Sequence, residues 1–426
     1  MPYTLSKLTG DELSPELSAE GSGGNRWTLN FGPQHPATHT TLRLVLELDG
    51  ERIVKCTPHI GYLHSGFEKC MENLNYNQNV TIVDRIDYSA PIYNELAWFH
   101  AVEKLLGVEL TPRCKVLRTI ALELGRVQSH LLCVGAAGLD LGAFTAFLYG
   151  FNERERIYDI VEFMSGQRFH TSWCRVGGLN MDLPDEATFK KLVKDFINEQ
   201  MPKGMDDMTG LLNKNRIFVD RTKGVGGITR DEAVAWGMTG PMARAAGVRR
   251  DLRKDEPFLC FADNWDGQGG KAVDFKVPVM NTGGDVYSRY LVRLEEMRQS
   301  VHIIRQLIDD IPGGPVNVSP EGKDVLPPKE QVYGSIEGLI QHFELIMTNR
   351  GFDAPRGEVY GAIETGNGEQ GYYLASDGGN RPWRARTRPP CFVNYSTFPK
   401  LVEGHMISDV PAILGSINVI AAELDR

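Results

Sequence analysis

Paired cysteines are missing from this chain. Its seven cysteines, Cys56, Cys70, Cys114, Cys133, Cys174, Cys260 and Cys391, are scattered, odd in number and never spaced C-x-x-C. Isolated thiols suit a reducing compartment, and the pattern offers no recognisable zinc or iron–sulfur ligand set, so no metal site is expected within the chain. A basic surplus is missing too: 46 Lys and Arg stand against 55 Asp and Glu, for a net charge of −9. A protein that tracks phosphates carries clustered excess Lys and Arg, so no nucleic-acid partner is expected. Long apolar runs are absent as well. Residues 131–151 come nearest, but Asp140 interrupts them between Gly138 and Gly142, and neither half could cross about 30 Å of hydrocarbon as a helix. Two buried helix ends meeting at an acidic corner are expected instead. The runs Gly224-Val225-Gly226-Gly227 and Gly267-Gln268-Gly269-Gly270 lack the lysine and Ser/Thr of a phosphate loop and read as turns. Residues 1–25 carry Asp11, Glu12, Glu16 and Glu20 among Gly and Ser, without the basic start of a secretory signal, and read as an extended arm.

What is present describes a globular protein. At 426 residues, 42% hydrophobic and 24% charged, the chain can bury a sizeable core in a few domains. Apolar spacing at threes and fours predicts helices over residues 67–76, 93–107, 112–135, 143–162, 286–311 and 329–348, with another capped by Asp185. Ser89-Ala90-Pro91 reads as the start of the second. The faces Leu294, Met297, Val301, Ile304, Ile308 and Val332, Ile336, Ile340, Phe343, Met347 are expected in the core. The fold class is α+β: a mainly α-helical bundle core with an N-terminal β-hairpin region and a small C-terminal mixed region. The boundaries read as an arm over 1–25, a β region over 26–66, a helical core over 67–350 with an irregular insertion at about 210–284, and a mixed region over 351–426. Within the insertion, Arg244, Arg249, Arg250, Arg253 and Lys254 form either a solvated face or a contact for an acidic partner. Trp383 to Arg388 alternates apolar with basic, as a half-exposed strand does.

Function is argued from residues 31–44, FGPQHPATHTTLRL. Pro33 and Pro36 fix φ on either side of His35, and Pro36 has no amide hydrogen for a strand ladder, so the segment is a stiff loop. An apolar alternation broken at Asp49-Gly50 follows, and His39 would hang at the mouth of that hairpin. Two solvated histidines would fit the same residues. Asp140, between apolar runs, needs either a proton or a partner, and His39 would be a suitable one; a cap on the helix beginning near Ala143 is the alternative. Tyr88 ends the charged run Asp84-Arg85-Ile86-Asp87-Tyr88 at a helix entrance. A phenol there can donate a hydrogen bond and a proton, or simply bind a backbone carbonyl.

The wording of several stretches goes further. GPQHPATH, HIGYLHSGFEK, DRIDY, GQRFH with RVGG, RTKGVGGI, TGPMARAAGV with DLRK, VRLEEMRQS, PRGEVYG and YYLASDGG occur in that order. Together they resemble the D subunit of NADH–quinone oxidoreductase, respiratory complex I, from about Trp27 to Arg426. The resemblance implies the fold of the nickel–iron hydrogenase large subunit and a proton-translocating NADH:quinone oxidoreductase active only as a complex. It implies that His39 and Tyr88 bind the quinone head group and protonate it, that His35 and Pro36 shape the pocket wall, and that Asp140 partners His39. It places Arg85 and His170 beside a 4Fe-4S cluster held by the B subunit of the complex. NAD and FMN would belong to other subunits. The B, C and I subunits and the membrane-embedded H subunit are the implied partners, on the cytoplasmic side of the bacterial inner membrane.

Three departures from the family pattern stand out. Thr40 replaces the usual glycine after His39, Ser65 stands where mitochondrial relatives often have arginine, and Asn418-Val419-Ile420 replaces Asp-Pro-Val. A working hydrogenase would need four thiolates from two C-x-x-C pairs, which this chain lacks. A non-catalytic scaffold, or the same architecture fed by another electron donor, are the remaining rivals.

Overall fold

The computed structural model describes residues 26–38, 41–318, 326–347 and 350–426. The alternation after residue 41 folds as a hairpin. Strand β2 (Arg43–Asp49) pairs antiparallel with β3 (Arg52–His59), and β1 (Arg26–Phe31) adds to the free edge of β2. Gly50 turns the chain at φ 60, a left-handed conformation that glycine adopts without Cβ strain. Period-two alternation sends Leu44, Leu46 and Leu48 to one face, where they are fully buried in a cluster with Phe398, Ile413 and Leu414.

The centre of the molecule is the helix Pro112–Asp140. Thr111 caps it by accepting from the Cys114 amide, and proline occupies its first turn, where no amide hydrogen is needed. Most of its residues are buried on every side, so its apolar periodicity marks a core helix rather than a surface one. Around it pack Ile92–Leu106, Phe144–Ser165, Val286–Leu307 and Val410–Ile417. A two-residue pair, β4 (Cys174–Arg175) with β5 (Gly178–Leu179), lies beside this core. A second sheet, β6 (Gly357–Glu364), β7 (Glu369–Ser376) and β8 (Arg384–Arg388), covers Ile92–Leu106. Strand and helix approach closely at Gly361, where an added Cβ would stand 2.6 Å from Ala101 Cα. In β8 the alternation is as expected: Ala385 and Thr387 are buried and the arginines between them are not.

Several local expectations are corrected. Ser89 does not cap the helix after Pro91; its hydroxyl bonds Asp87 instead. The helix expected over 67–76 is Phe67–Met71. The one expected over 329–348 breaks at Ser335 into Lys329–Gly334 and Ile336–Ile346. Its apolar face is not core: Ile336 is 74% exposed, and Ile340, Phe343 and Met347 are exposed too. Periodicity reports that one face is apolar; it does not report that the same chain covers it. The stretch 210–284 holds short helices, Arg216–Thr222, Arg230–Ala235, Gly240–Ala245 and Leu252–Asp255.

The arginine cluster is the largest correction. Arg249, Arg250 and Lys254 are exposed, as a solvated face would be, but Arg244 and Arg253 are fully buried. Arg244 Nε donates to Glu296 at 2.8 Å and its Nη1 to Glu364 at 2.7 Å. Arg253 binds Glu123 at 3.0 Å and Asp251 at 2.7 Å. Arg126 bonds Glu123 and the carbonyl oxygens of Glu364 and Thr365, and His130 Nε2 lies 2.8 Å from Glu296. Burial of such charges is tolerated because each faces opposite charge and hydrogen-bond partners. Asp251 lies in the same run, but Glu123, Glu296 and Glu364 come from distant segments, which a local reading of the basic run does not see.

Candidate functional site

Tyr88 owes its place to tight winding. After the short helix Val80–Val83, the amides of Arg85 and Ile86 bond the carbonyl oxygens three residues back, those of Ile82 and Val83. Three residues per turn eclipses positions i and i+3. Asp84 and Asp87 therefore point inward and are fully buried, while Arg85 and Tyr88 point outward. Tyr88 is 38% exposed. Desolvation raises its pKa, with the Ala421 backbone acting in the opposite sense. A phenol so placed stays protonated at neutral pH.

Behind Tyr88 the polar groups interlock. Asp87 accepts from the Ser89 amide at 2.9 Å and the Ser89 hydroxyl at 2.5 Å. Ser89 in turn lies 3.4 Å from the Ser129 hydroxyl, and Asn418 donates to Asn367 at 2.6 Å. Asn418 adopts φ 59, left-handed, at the C-terminus of Val410–Ile417. An amide side chain tolerates that conformation well. The following short helix is Ala421–Asp425, whose first residue acts on the Tyr88 phenol. At its other end Asp425 accepts the amides of Gly61 at 2.8 Å and Leu63 at 2.7 Å, within the HIGYLHSGFEK stretch. An open cleft of about 430 Å³ follows this junction, lined by His64, Glu68, Arg384 and Phe392.

Arg85 and His170 lie together on the outer side. His170 is half-buried, meets the Phe169 ring edge-on at 4.5 Å, and its pKa is lowered by desolvation and by Arg85. Beneath them two carboxyl groups meet. Glu95 accepts the Thr171 hydroxyl and the amides of Trp173 and Cys174, both at 2.7 Å. Asp84 accepts the Ser172 amide at 3.1 Å and hydroxyl at 3.2 Å. The two side chains are within hydrogen-bonding distance of each other, and burial beside Glu95 pushes Asp84 up to about 10. Two buried carboxyl groups meet this way when a proton lies between them, and burial beside Glu95 places it on Asp84. Their grip on the loop holds Ser172 at φ 42, a strained value for a residue with a side chain. Asp84→Asn preserves a donor toward Glu95 and an acceptor for Ser172, so it should cost under about 1 kcal/mol. Glu95→Gln turns an N–H against donors and should cost about 1–3 kcal/mol. Thermal melting of the two variants checks this; equal costs would overturn the assignment.

His35 is exposed, packs its ring at a tilt against Phe31 with centroids 4.5 Å apart, and accepts the Ala37 amide on Nδ1 at 3.2 Å. Pro36 opens a 3-10 turn, Pro36–Thr38, which packs against Val410–Ile417. The same helix meets Asp140: a Cβ on Gly415 would stand 3.2 Å from Asp140 Oδ2. Asp140 is the last residue of Pro112–Asp140 and is half-buried. The capping alternative is not found, since Phe144–Ser165 begins at Ala143 without a side-chain cap. The acidic corner forms between these two helix ends, but the ends are not buried as expected: Leu139 and Phe144 beside it are exposed. His39 and Thr40 lie outside the described residues. The structure thus gathers Tyr88 with Asp87, Cys391, Asn418 and Glu423, and Arg85 with His170, Asp84 and Glu95. Of these, Asp84, Asp87, Glu95, Asn367, Cys391 and Glu423 escaped the sequence reading as site residues. Glu95 carried a signal, a charge inside the apolar run Ile92 to Phe99; Glu423 had none that set it apart from a terminal solvated acid.

Comparison with known proteins agrees along the chain. The family model described as respiratory-chain NADH dehydrogenase, 49 Kd subunit, matches residues 140–426. The D subunit of the NADH-quinone oxidoreductase of Methylacidiphilum infernorum is 48% identical over 95% of this chain and 93% of its own length. That of Akkermansia muciniphila is 49% identical over 95% and 94%. The combined C/D subunit of the Bdellovibrio bacteriovorus enzyme is 46% identical over 93% of this chain and 68% of its own length. With the matched segments covering the Tyr88 cluster, the arginine core and both sheets, this chain belongs to the 49 kDa, or D-subunit, family of NADH–quinone oxidoreductase.

Proposed function

We propose that this chain forms one wall of the quinone-reduction pocket of a proton-translocating NADH–quinone oxidoreductase. The observation that carries the reading is Tyr88: a half-exposed phenol at the rim of an otherwise buried polar cluster, its pKa raised by desolvation. Reducing a quinone to a quinol takes two electrons and two protons, and each oxygen needs a donor within hydrogen-bonding distance. Tyr88 supplies one proton and His39 the other, donors with ordinary pKa values of about 10 and 6.5. His35 and Pro36 shape the wall. Asp140 serves as the partner of His39, and its reprotonation is the step that links reduction to pumping. The packing of both Pro36–Thr38 and Asp140 on Val410–Ile417 supports that pairing.

Electrons reach the pocket from a 4Fe-4S cluster in the B subunit of the complex, while NAD and FMN belong to other subunits. Arg85 faces that cluster and eases its reduction by its charge, and the titratable His170 beside it makes that reduction pH-dependent. The C subunit is a neighbour, as its fusion to the D subunit in the Bdellovibrio relative supports; the I and H subunits complete the surroundings. The fold is that of the hydrogenase large subunit with its metal ligands lost. Among the described residues no helix is long and apolar enough to cross a membrane, and the chain sits peripherally on the cytoplasmic face of the inner membrane. The test is inhibitor binding. A complex carrying His39→Ala should bind a quinone-site inhibitor about tenfold more weakly, the scale of one lost charge-assisted hydrogen bond. Full affinity would favour a scaffold role instead.

A further inference from the structure

Arg118, Arg126, Arg244 and Arg253 are fully buried, and each meets a carboxylate at 2.8 to 3.2 Å. Arg289 and Arg293 are buried as completely, one turn apart on Val286–Leu307, yet neither forms an ion pair among the described residues. Arg289 donates to the Ser416 hydroxyl at 2.8 Å and to the Gly226 carbonyl at 2.6 Å, both neutral groups. Arg293 donates to the Arg289 carbonyl at 3.3 Å, and the Nε of each arginine has no hydrogen-bond partner among the described residues. Asp285, the nearest acid along the helix, is occupied by capping: it accepts the amides of Ser288 and Gly224, each at 2.8 Å, and the Ser288 hydroxyl at 2.5 Å.

A guanidinium keeps its charge, so burying two of them without an anion is among the costliest arrangements a core can hold. Arg293 lines a cavity of about 20 Å³, together with Ser416, Cys133, Leu141, Thr222 and Phe218. That space admits one water or one single-atom ion. The hydroxyls in its wall spend their protons elsewhere, Thr222 on the Phe218 carbonyl at 2.6 Å and Ser416 on that of Ile413 at 2.7 Å, and the Cys133 thiol lies 3.5 Å from the Gly415 carbonyl. The donors left over are guanidinium N–H groups, in a wall that is otherwise mostly apolar. An occupant that accepts hydrogen bonds, donates none and carries negative charge suits such a wall better than water does.

We propose that this cavity is a binding site for a small monovalent anion of the chloride class, held by the Arg293 guanidinium with Arg289 behind it. The ion braces three helices at once: Cys133 and Leu141 stand on and just after Pro112–Asp140, Arg293 on Val286–Leu307, and Ser416 on Val410–Ile417. Leu141 follows Asp140 directly, and Ser416 follows Gly415, the residue on which Asp140 packs. The ion therefore lies under the acidic corner and fixes how the first and third of these helices meet. The site stands whether or not Asp140 takes part in coupling.

The test is amide hydrogen exchange of the assembled complex in potassium chloride, potassium bromide or potassium gluconate, at equal ionic strength so that screening is constant. Gluconate is too large for the cavity. Peptides covering residues 286–293 and 410–417 should exchange about tenfold more slowly in either halide than in gluconate, the effect of an ion present at about ten times its dissociation constant. Arg293→Met should abolish that difference. Because it also removes an unpaired buried charge, the variant should exchange in gluconate no faster than the wild type does. Identical exchange of the wild type in all three salts would overturn the proposal and leave an ordered water as the occupant. A halide effect undiminished in Arg293→Met would place the ion elsewhere and overturn it equally. Should Arg293→Met fail to assemble, Arg293→Lys is read in its place: a halide midpoint raised about tenfold supports the site, since an ammonium offers a different donor geometry, and an unmoved midpoint overturns it.

Discussion

Replacing Tyr88 by phenylalanine in the assembled complex is expected to cut quinone reduction by about 10²- to 10⁴-fold, the usual worth of a positioned general acid. NADH oxidation by an artificial acceptor should continue at the wild-type rate, because electrons leave upstream of the pocket. The ring fills the same space, and the lost oxygen lies at a half-exposed site near the Ala421 backbone. The stability cost should therefore stay near 1 kcal/mol, and the complex should assemble. Parallel assays of the two activities, with the composition of the complex measured, check the prediction. Undiminished quinone turnover would remove Tyr88 from the chemistry.

Arg244→Leu should damage the molecule rather than the reaction. Arg244 is fully buried and joins Glu296, Glu364 and Asp251, drawn from three segments. Removing it strands carboxylates in the core, a change that costs about 3–5 kcal/mol for a buried pair. That approaches the total stability of many domains, so little of the protein should accumulate, and Arg244→Lys should not rescue it, because one ammonium cannot span the guanidinium's separate partners. Accumulation and melting like the wild type would contradict this account. The same network predicts acid sensitivity. His130 is held neutral by burial, its pKa lowered from 6.5 to about 4. Between those values the unfolded chain binds more protons than the folded one, so stability is lost as pH falls through that window. The lowered pKa of Glu296, beside Arg244, adds a loss of the same sign at lower pH.

How much of this was legible depends on the range over which each signal acts. The hairpin at Asp49-Gly50, the Thr111–Pro112 helix start, the Asp185 cap and the corner at Asp140 were readable or nearly so, since each is set by residues within a turn of one another. Tyr88 could be picked out by resemblance and by its place at the end of a charged run. The tight winding that turns it outward while burying Asp84 and Asp87 became visible once the backbone bonds of Arg85 and Ile86 were known.

The sequence by itself determined which faces are apolar, where the principal helices run, and the family to which the signatures point. It could not decide what each face or charge meets. The apolar side of Ile336–Ile346 lies open although its periodicity matches a core helix, and Arg244 and Arg253 lie buried although their run reads as solvated. Glu423 shows the same limit most clearly: 336 positions separate it from Asp87, and tertiary packing alone makes them electrostatic neighbours. Hydrogen-bond caps and helical periodicity are short-range and written locally. Desolvation and the charge of a distant neighbour act through space, so the fold had to be known before they could be assigned.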